Sequence, residues 1–101
     1  MIKLNKIFVF LKENNILLEI KTRLLSILEQ HKDRIKEKLE PKIIDYIDNG
    51  SEFAKEYIIN FVVDEIELPF PINLFKKKIK KTVEKNIDKL VVFLKTQIDK
   101  Y

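Results

Sequence analysis

Few side chains of this 101-residue chain could do chemistry, and none falls in a pattern typical of an active site. The single histidine, His31, is predicted to lie in the apolar seam of a helix, with one ring nitrogen bonded to a neighbour. Ser26 and Ser51 lack the context of a nucleophile, and Ser51 is predicted to cap a helix. The absence of cysteine excludes disulfides, thiolate nucleophiles and zinc–thiolate sites.

Carboxylates are the other candidate groups, and they occur as Asp45 with Asp48 and as Asp64 with Glu65 and Glu67. Helical spacing can bring such groups together for metal binding or general acid–base catalysis. The same spacing is common on solvated helices, and the Glu-x-x-His motifs of dimetal bundles do not occur. A single glycine excludes a glycine-rich phosphate loop. We therefore predict a non-enzymatic protein with no metal, no cofactor and no small-molecule substrate.

Composition and length predict one folded helical domain over residues 1–101. Hydrophobic residues make up 46% and charged residues 36%, which is typical of a folded chain. No run approaches the ~18 apolar residues that span a bilayer, and the apolar run over residues 7–11 is shorter than that of a secretory signal. We therefore expect a cytoplasmic protein. The frequent Lys, Ile and Asn are typical of an AT-rich genome, such as that of a low-GC bacterium or its phage.

Apolar periodicity predicts an all-α fold, an antiparallel bundle of three main helices with a short N-terminal helix. The short helix is predicted over residues 2–13, and Asn14 or Asn15 is predicted to cap the helix that follows. The main helices are predicted over residues 16–48, 52–67 and 73–100.

The first and last main helices share an eleven-residue apolar repeat, which is close to the natural helical pitch and suits packing over a long distance. Pro41 is predicted to kink the first helix, because proline disfavours helical angles at Glu40. The repeat positions of the first helix are Leu17, Ile20, Leu24, Leu28, His31, Ile35 and Leu39. Those of the last are Ile79, Val83, Ile87, Leu90, Leu94, Ile98 and Tyr101.

The segment DNGSEF, residues 48–53, is predicted to end one helix and begin the next. Asn49-Gly50 can supply a left-handed cap, and Ser51 can cap the helix over residues 52–67. That helix is apolar on most of its circumference, as helices buried between others are. We therefore expect it to be central, with Phe61 nearly inaccessible to water.

Charge is distributed unevenly along the chain. Residues 40–67 contain eight acidic residues and two lysines, whereas residues 76–100 contain nine lysines and three acidic residues. The simplest interpretation is that the two stretches lie side by side and neutralise each other. The alternative is a basic surface for an anionic partner.

The segment ELPFPINLFKKKIKK, residues 67–81, joins an apolar loop to a cluster of lysines. Its apolar residues are predicted to cover the end of the core: Leu68, Phe70, Ile72, Leu74 and Phe75. If the two phenylalanines are exposed instead, they form an aromatic wedge with a cationic collar, a pattern suited to membrane surfaces. The candidate partner or membrane contacts are therefore Phe70, Phe75, Lys76, Lys77, Lys78, Lys80 and Lys81.

The lysines at the start of this last helix oppose its dipole, unless the helix begins earlier with Pro71 at its first position, which we favour. An anionic surface that offsets the cost is the alternative.

Three functions fit these observations. The leading hypothesis is a structural or assembly component that acts through self-association or a helical protein partner. The first alternative is peripheral binding to an anionic membrane surface through residues 68–75 and the adjacent lysines. The second is non-specific nucleic-acid binding by the basic C-terminal helix, although the only arginines, Arg23 and Arg34, lie outside that helix and no binding motif is visible.

Overall fold

A computed structural model describes residues 12–66 and 72–100 of the chain. Within these ranges the chain is all-α, as predicted, and contains no β-strand. The helices are α1 (Glu13–Asn49), α2 (Glu52–Glu65), α3 (Lys76–Lys85) and α4 (Ile87–Ile98), with a 3-10 turn at Ile72–Phe75 directly before α3. The short helix predicted over residues 2–13 lies almost wholly outside the described residues.

Helix α1 is bent sharply at His31, the one residue inside it with non-helical dihedral angles (φ −137°, ψ 37°). Pro41 lies within helical backbone, so the kink predicted at Glu40-Pro41 is wrong. Pro41 is exposed, and the hydrogen bond that a proline removes is therefore lost on the solvent side, where water can replace it.

The bend at His31 folds α1 back on itself. Glu13 Oε1 accepts a hydrogen bond from Asn86 Nδ2 at 2.8 Å, and Tyr46 Oη donates one to Asp88 Oδ1 at 2.7 Å. A straight helix would hold Glu13 and Tyr46 about 50 Å apart, which exceeds the 44 Å longest dimension of the molecule. The two arms of α1, residues 13–30 and 32–49, therefore lie beside each other in one bundle.

The predicted helix over residues 73–100 is broken at Asn86 (φ −113°, ψ 23°). The buried Asn86 amide donates to the carbonyl of Thr82 at 2.9 Å as well as to Glu13. An asparagine side chain that bonds the backbone competes with the helix, and Asn86 marks the break between α3 and α4, which we call the corner. Backbone hydrogen bonds continue across it, from the N–H of Asn86 to Thr82 and from the N–H of Leu90 to Asn86, both at 3.1 Å. Hydrogen bonds at the corner shift the pKa values of two residues of α1. The bond from Asn86 lowers the pKa of Glu13, and the bond to Asp88 raises the pKa of Tyr46 to about 12.

The turn between α1 and α2 forms as predicted. Gly50 adopts the left-handed conformation (φ 63°, ψ 29°), and its N–H donates to the carbonyl of Tyr46 at 2.9 Å. Ser51 Oγ accepts a hydrogen bond from the N–H of Ala54 at 3.1 Å. The start of α1 differs from the prediction, because the helix begins at Glu13 and so includes both asparagines that were expected to cap it.

One hydrophobic cluster joins all four helices. The eleven-residue repeat is confirmed, because every repeat position within the described residues is buried except His31, where the bend interrupts the seam. Phe61 is buried, as expected. Phe53 is exposed and lies against Lys42, with 4.7 Å from Nζ to the ring centroid, so one flank of α2 faces solvent. Helix α1, rather than α2, packs against each of the other three and is the central helix.

The same Leu→Ala substitution should reduce stability more on the buried face of α1 than on its exposed face. Leu28 is 1% exposed and Leu18 is 66% exposed, although both lie on the first arm. Leu28→Ala should lower the free energy of unfolding by about 2–5 kcal/mol through lost burial and a cavity. Leu18→Ala should change it by less than about 0.5 kcal/mol. Urea denaturation followed by circular dichroism measures both values, and equal values would show that α1 is rotated relative to the core.

Candidate partner-binding surface

The start of α3 carries an exposed apolar and basic surface. We call it the tip and define it by Leu74, Phe75, Lys76, Lys77, Lys78, Lys80 and Lys81. Leu74 is 68% exposed and Phe75 is 37% exposed, so the prediction that these two side chains cover the end of the core is wrong. Ile79 is buried and is the first residue of α3 that reaches the core. Leu74 and Phe75 precede it in the chain and therefore lie beyond the end of the core. Phe70 and Leu68 lie outside the described residues.

The five lysines of the tip are all exposed. No ion pair holds any of them in the described part of the chain, where the pairs are Arg23–Glu19, Arg34–Glu65, Lys85–Glu13 and Lys95–Asp99. Helix α2 packs against α3, yet none of these pairs joins residues 40–66 to residues 76–100. The predicted neutralisation of the acidic stretch by the basic stretch therefore does not occur through direct ion pairs between described residues.

The position of the lysines on α3 is electrostatically unfavourable. The α-helix begins at Lys76, has no acidic side chain in its first turn and receives no side-chain cap from Phe75. The explanation that we favour, a helix with Pro71 at its first position, is not tested at Pro71 itself, which lies outside the described residues. Helical backbone does precede Lys76, but as the 3-10 turn at Ile72–Phe75 rather than as α-helix. A positive charge at a helix N-terminus costs about 0.3–1 kcal/mol at low salt. An anion at the tip would offset this cost.

The groups of the tip are chemically suited to binding an anion. Lysine ammonium groups are compact, hydrated point charges that attract anions, and the apolar pair adds a small hydrophobic contact. In residues 12–66 and 72–100 no group of three or more His, Asp or Glu side chains is placed to hold a metal ion. Across the same ranges, no helix combines the length and the apolar character that crossing a membrane requires.

A second feature is a cleft of about 420 Å³ at the bend of α1, which we call the bend cleft. Its described lining residues are Arg23, Ser26, Ile27, Gln30, His31, Arg34 and Glu65. The His31 ring is exposed and makes no hydrogen bond within the described part of the chain, so the predicted bond to a neighbour is wrong there. Sequence reasoning missed this cleft, although the i, i+7, i+11 spacing of Arg23, Gln30 and Arg34 places them on one helical face.

A third feature is a smaller groove of about 270 Å³, which we call the apolar groove. It is lined by Tyr46, Ile47, Gly50, Asp88, Val91 and Val92. Ile47 and Val92 are exposed there, and Ile44 is exposed one turn before Ile47.

The structure places the carboxylates singled out from the sequence except Glu67, which lies outside the described residues. Asp45 accepts a hydrogen bond from Asn49 Nδ2 at 2.9 Å, Glu65 faces Arg34, and Asp48 and Asp64 are exposed.

Comparison with protein-family models, with curated proteins and with solved structures gives no match for this chain.

The orientation of α3 is testable by two neighbouring substitutions. Ile79→Ala should lower the free energy of unfolding by about 2–5 kcal/mol, because Ile79 anchors α3 in the core. Lys80→Ala should change it by less than about 0.5 kcal/mol, because Lys80 is exposed and forms no ion pair with a described residue. Chemical denaturation of the two variants measures the difference, and a destabilising Lys80→Ala would show that the lysine face of α3 is in contact with the protein.

Proposed function

We propose that the protein is a non-enzymatic binding protein that attaches to an anionic membrane surface through the tip. The observation that carries the proposal is the position of two exposed apolar side chains, Leu74 and Phe75, directly before five exposed lysines without ion pairs in the described part of the chain. Insertion of the apolar pair at the headgroup boundary would remove it from water, while the lysines would meet anionic headgroups.

The attachment we propose is end-on. Helix α3 is the most amphipathic of the four helices, but its apolar face, Ile79, Thr82 and Val83, is already buried in the bundle. The helix therefore cannot lie flat with that face in the lipid, and only its beginning is free to make contact. The helices, which we take to form an antiparallel bundle, would act as a rigid support for the tip. The cytoplasmic leaflet, which is rich in anionic lipids, is the surface we expect.

The positions of the lysines without ion pairs favour contact with a membrane at one end of α3 over binding of a nucleic acid along the whole of residues 76–100. Beyond the tip, Lys85 is paired with Glu13 and Lys95 with Asp99. Seven lysines of residues 76–100 have no ion pair with a described residue, and five of them lie at the tip, the other two being Lys89 and Lys100. The tip also lacks arginine, which is the residue that most often reads bases.

Vesicle binding tests the proposal. At low salt the protein should sediment with vesicles that contain phosphatidylserine and should remain in solution with neutral vesicles. Each lysine near an anionic surface contributes about 1 kcal/mol, so the triple variant Lys76→Gln, Lys77→Gln, Lys80→Gln should bind about a hundredfold more weakly. The double variant Leu74→Ser, Phe75→Ser should weaken binding by up to about tenfold, because the serines bury less apolar surface in the membrane.

Matched controls separate the tip from general charge and general hydrophobicity. The triple variant Lys38→Gln, Lys89→Gln, Lys100→Gln removes the same charge from exposed positions outside the tip, and Leu18→Ser replaces a leucine that is 66% exposed, close to the 68% of Leu74. Both controls should retain much more vesicle binding than the tip variants. Equal losses from tip and control variants, or no binding to anionic vesicles at low salt, would contradict the proposal.

A second candidate function is self-association, and the apolar groove favours it. Exposed Ile47 and Val92 line the same groove, with exposed Ile44 one turn before Ile47 on α1. Apolar side chains grouped on one surface are typical of protein–protein contacts. The occupant we propose is the same face of a second copy, because most homodimers use one self-complementary surface.

Sedimentation velocity across a range of concentrations tests self-association. The parent should show a dimer that Val92→Glu and Ile47→Glu abolish, because a charge buried in a dimer interface is costly. Phe53→Glu is the control, since Phe53 is exposed but does not line the apolar groove. A parent that stays monomeric at every concentration would exclude this second function and leave the tip proposal intact.

A further inference from the structure

The bend cleft is lined by the two least frequent types of basic side chain in this protein, arginine and histidine. Of the 20 basic residues only Arg23 and Arg34 are arginines, and His31 is the only histidine. All three line the bend cleft, whereas no lysine of the described residues does. A chain that uses lysine at every other basic position therefore has both of its guanidinium groups at one concave site.

The shape of α1 explains how these groups come together. Arg23 and Arg34 are eleven residues apart, a distance of three turns, so they would share one face even on a straight helix. His31 lies between them at the bend, where its exposed ring lines the same cleft. Ser26 and Gln30 occupy the intervening turns and add a hydroxyl and an amide to the lining. The lining therefore offers several hydrogen-bond donors.

The hydrogen-bonding capacity of the two guanidinium groups is only partly used. Arg23 Nε contacts Glu19 Oε1 at 2.8 Å, and its two terminal nitrogens make no hydrogen bond within the described part of the chain. Arg34 Nη2 lies 3.6 Å from Glu65 Oε2, which is longer than a hydrogen bond between these atoms. Planar guanidinium groups of this kind bind phosphate oxygens in a bidentate manner.

We infer that the bend cleft binds the phosphate group of a small molecule, with Arg23 and Arg34 as the charged contacts and His31, Ser26 and Gln30 as further donors. A volume of about 420 Å³ is within the range of small-molecule sites, about 300–1,000 Å³. Glu65 is the one acidic residue among the described lining residues, and the phosphate would replace its carboxylate at Arg34. This ligand differs from the expectation of no small-molecule substrate, because binding requires no catalytic group.

Titration with inorganic phosphate, followed by two-dimensional NMR of the ¹⁵N-labelled protein, tests the inference. Phosphate should cause saturable shifts of the Arg23 and Arg34 Nε–H signals in the millimolar range, and sodium chloride of the same ionic strength should not. Shifts that chloride reproduces, or that do not saturate, would show charge screening only and would overturn the inference.

Single substitutions at matched positions identify the site. Arg34→Gln should weaken phosphate binding about tenfold or more, because it removes a charge-assisted contact. Lys38→Gln, one turn further along the same helix, removes the same charge from an exposed position and should leave binding within about twofold of the parent. Glu65→Gln should strengthen binding about two- to fivefold, because it removes a competing exposed carboxylate. Equal effects of Arg34→Gln and Lys38→Gln would overturn the inference.

Two further measurements complete the test. Arg23→Gln provides an independent variant on the other arm of α1, and circular dichroism confirms that each variant is folded.

Vesicle sedimentation distinguishes a soluble phosphate compound from a lipid headgroup, which carries the same chemical group. A soluble ligand predicts that Arg34→Gln and Lys38→Gln bind vesicles equally, whereas a headgroup ligand predicts a greater loss for Arg34→Gln.

Discussion

Helix α1 has 37 residues and would be about 55 Å long if it were straight, whereas the molecule is 44 Å in its longest dimension. Its apolar stripe can be buried by the shorter helices α2, α3 and α4 only if α1 turns back, and it does so at His31. The corner at Asn86 stabilises this arrangement, because Glu13 bonds Asn86 and Tyr46 bonds Asp88. A buried amide without partners would be costly, and the bend supplies Asn86 with one of its two acceptors. The two arms of α1 and the corner are therefore linked by two side-chain hydrogen bonds.

The parts of the fold that could be predicted depend on local chemistry. Gly50 and Ser51 form the expected caps because left-handed backbone and a free N–H group require particular residue types at those positions. The breaks at His31 and Asn86 could not be assigned, because neither residue type enforces a break, and one of the two acceptors of the Asn86 amide, Glu13, is distant in sequence. Pro41 was a misleading signal, since an exposed proline is tolerated inside a helix when water can satisfy the carbonyl that it leaves unpaired.

Periodicity also limited what could be predicted of the surfaces. It placed Ile79 correctly in the core, but it could not tell whether Leu74 and Phe75, one turn earlier, lie over the end of the core or beyond it. That depends on how far α1 and α2 extend beside α3, which is a property of the whole bundle. The common location of Arg23 and Arg34 was partly predictable, because a spacing of eleven residues places both on the same face of a helix. The cleft itself could not be predicted, because its concave shape depends on the bend of α1.

The tip and the bend cleft differ in the physics by which each would hold an anion. The tip lysines are point charges on flexible stems and attract a diffuse layer of negative charge, so their effect sums over many groups and is screened by salt. The N–H donors of a guanidinium group point in fixed directions within its plane. Contact of the bend cleft with an anion would therefore depend on geometry more than on total charge. Adding salt should therefore weaken attachment at the tip much more than binding in the bend cleft. If both proposals hold, one chain would bind two anionic partners of different size and shape separately, although both are attracted by positive charge.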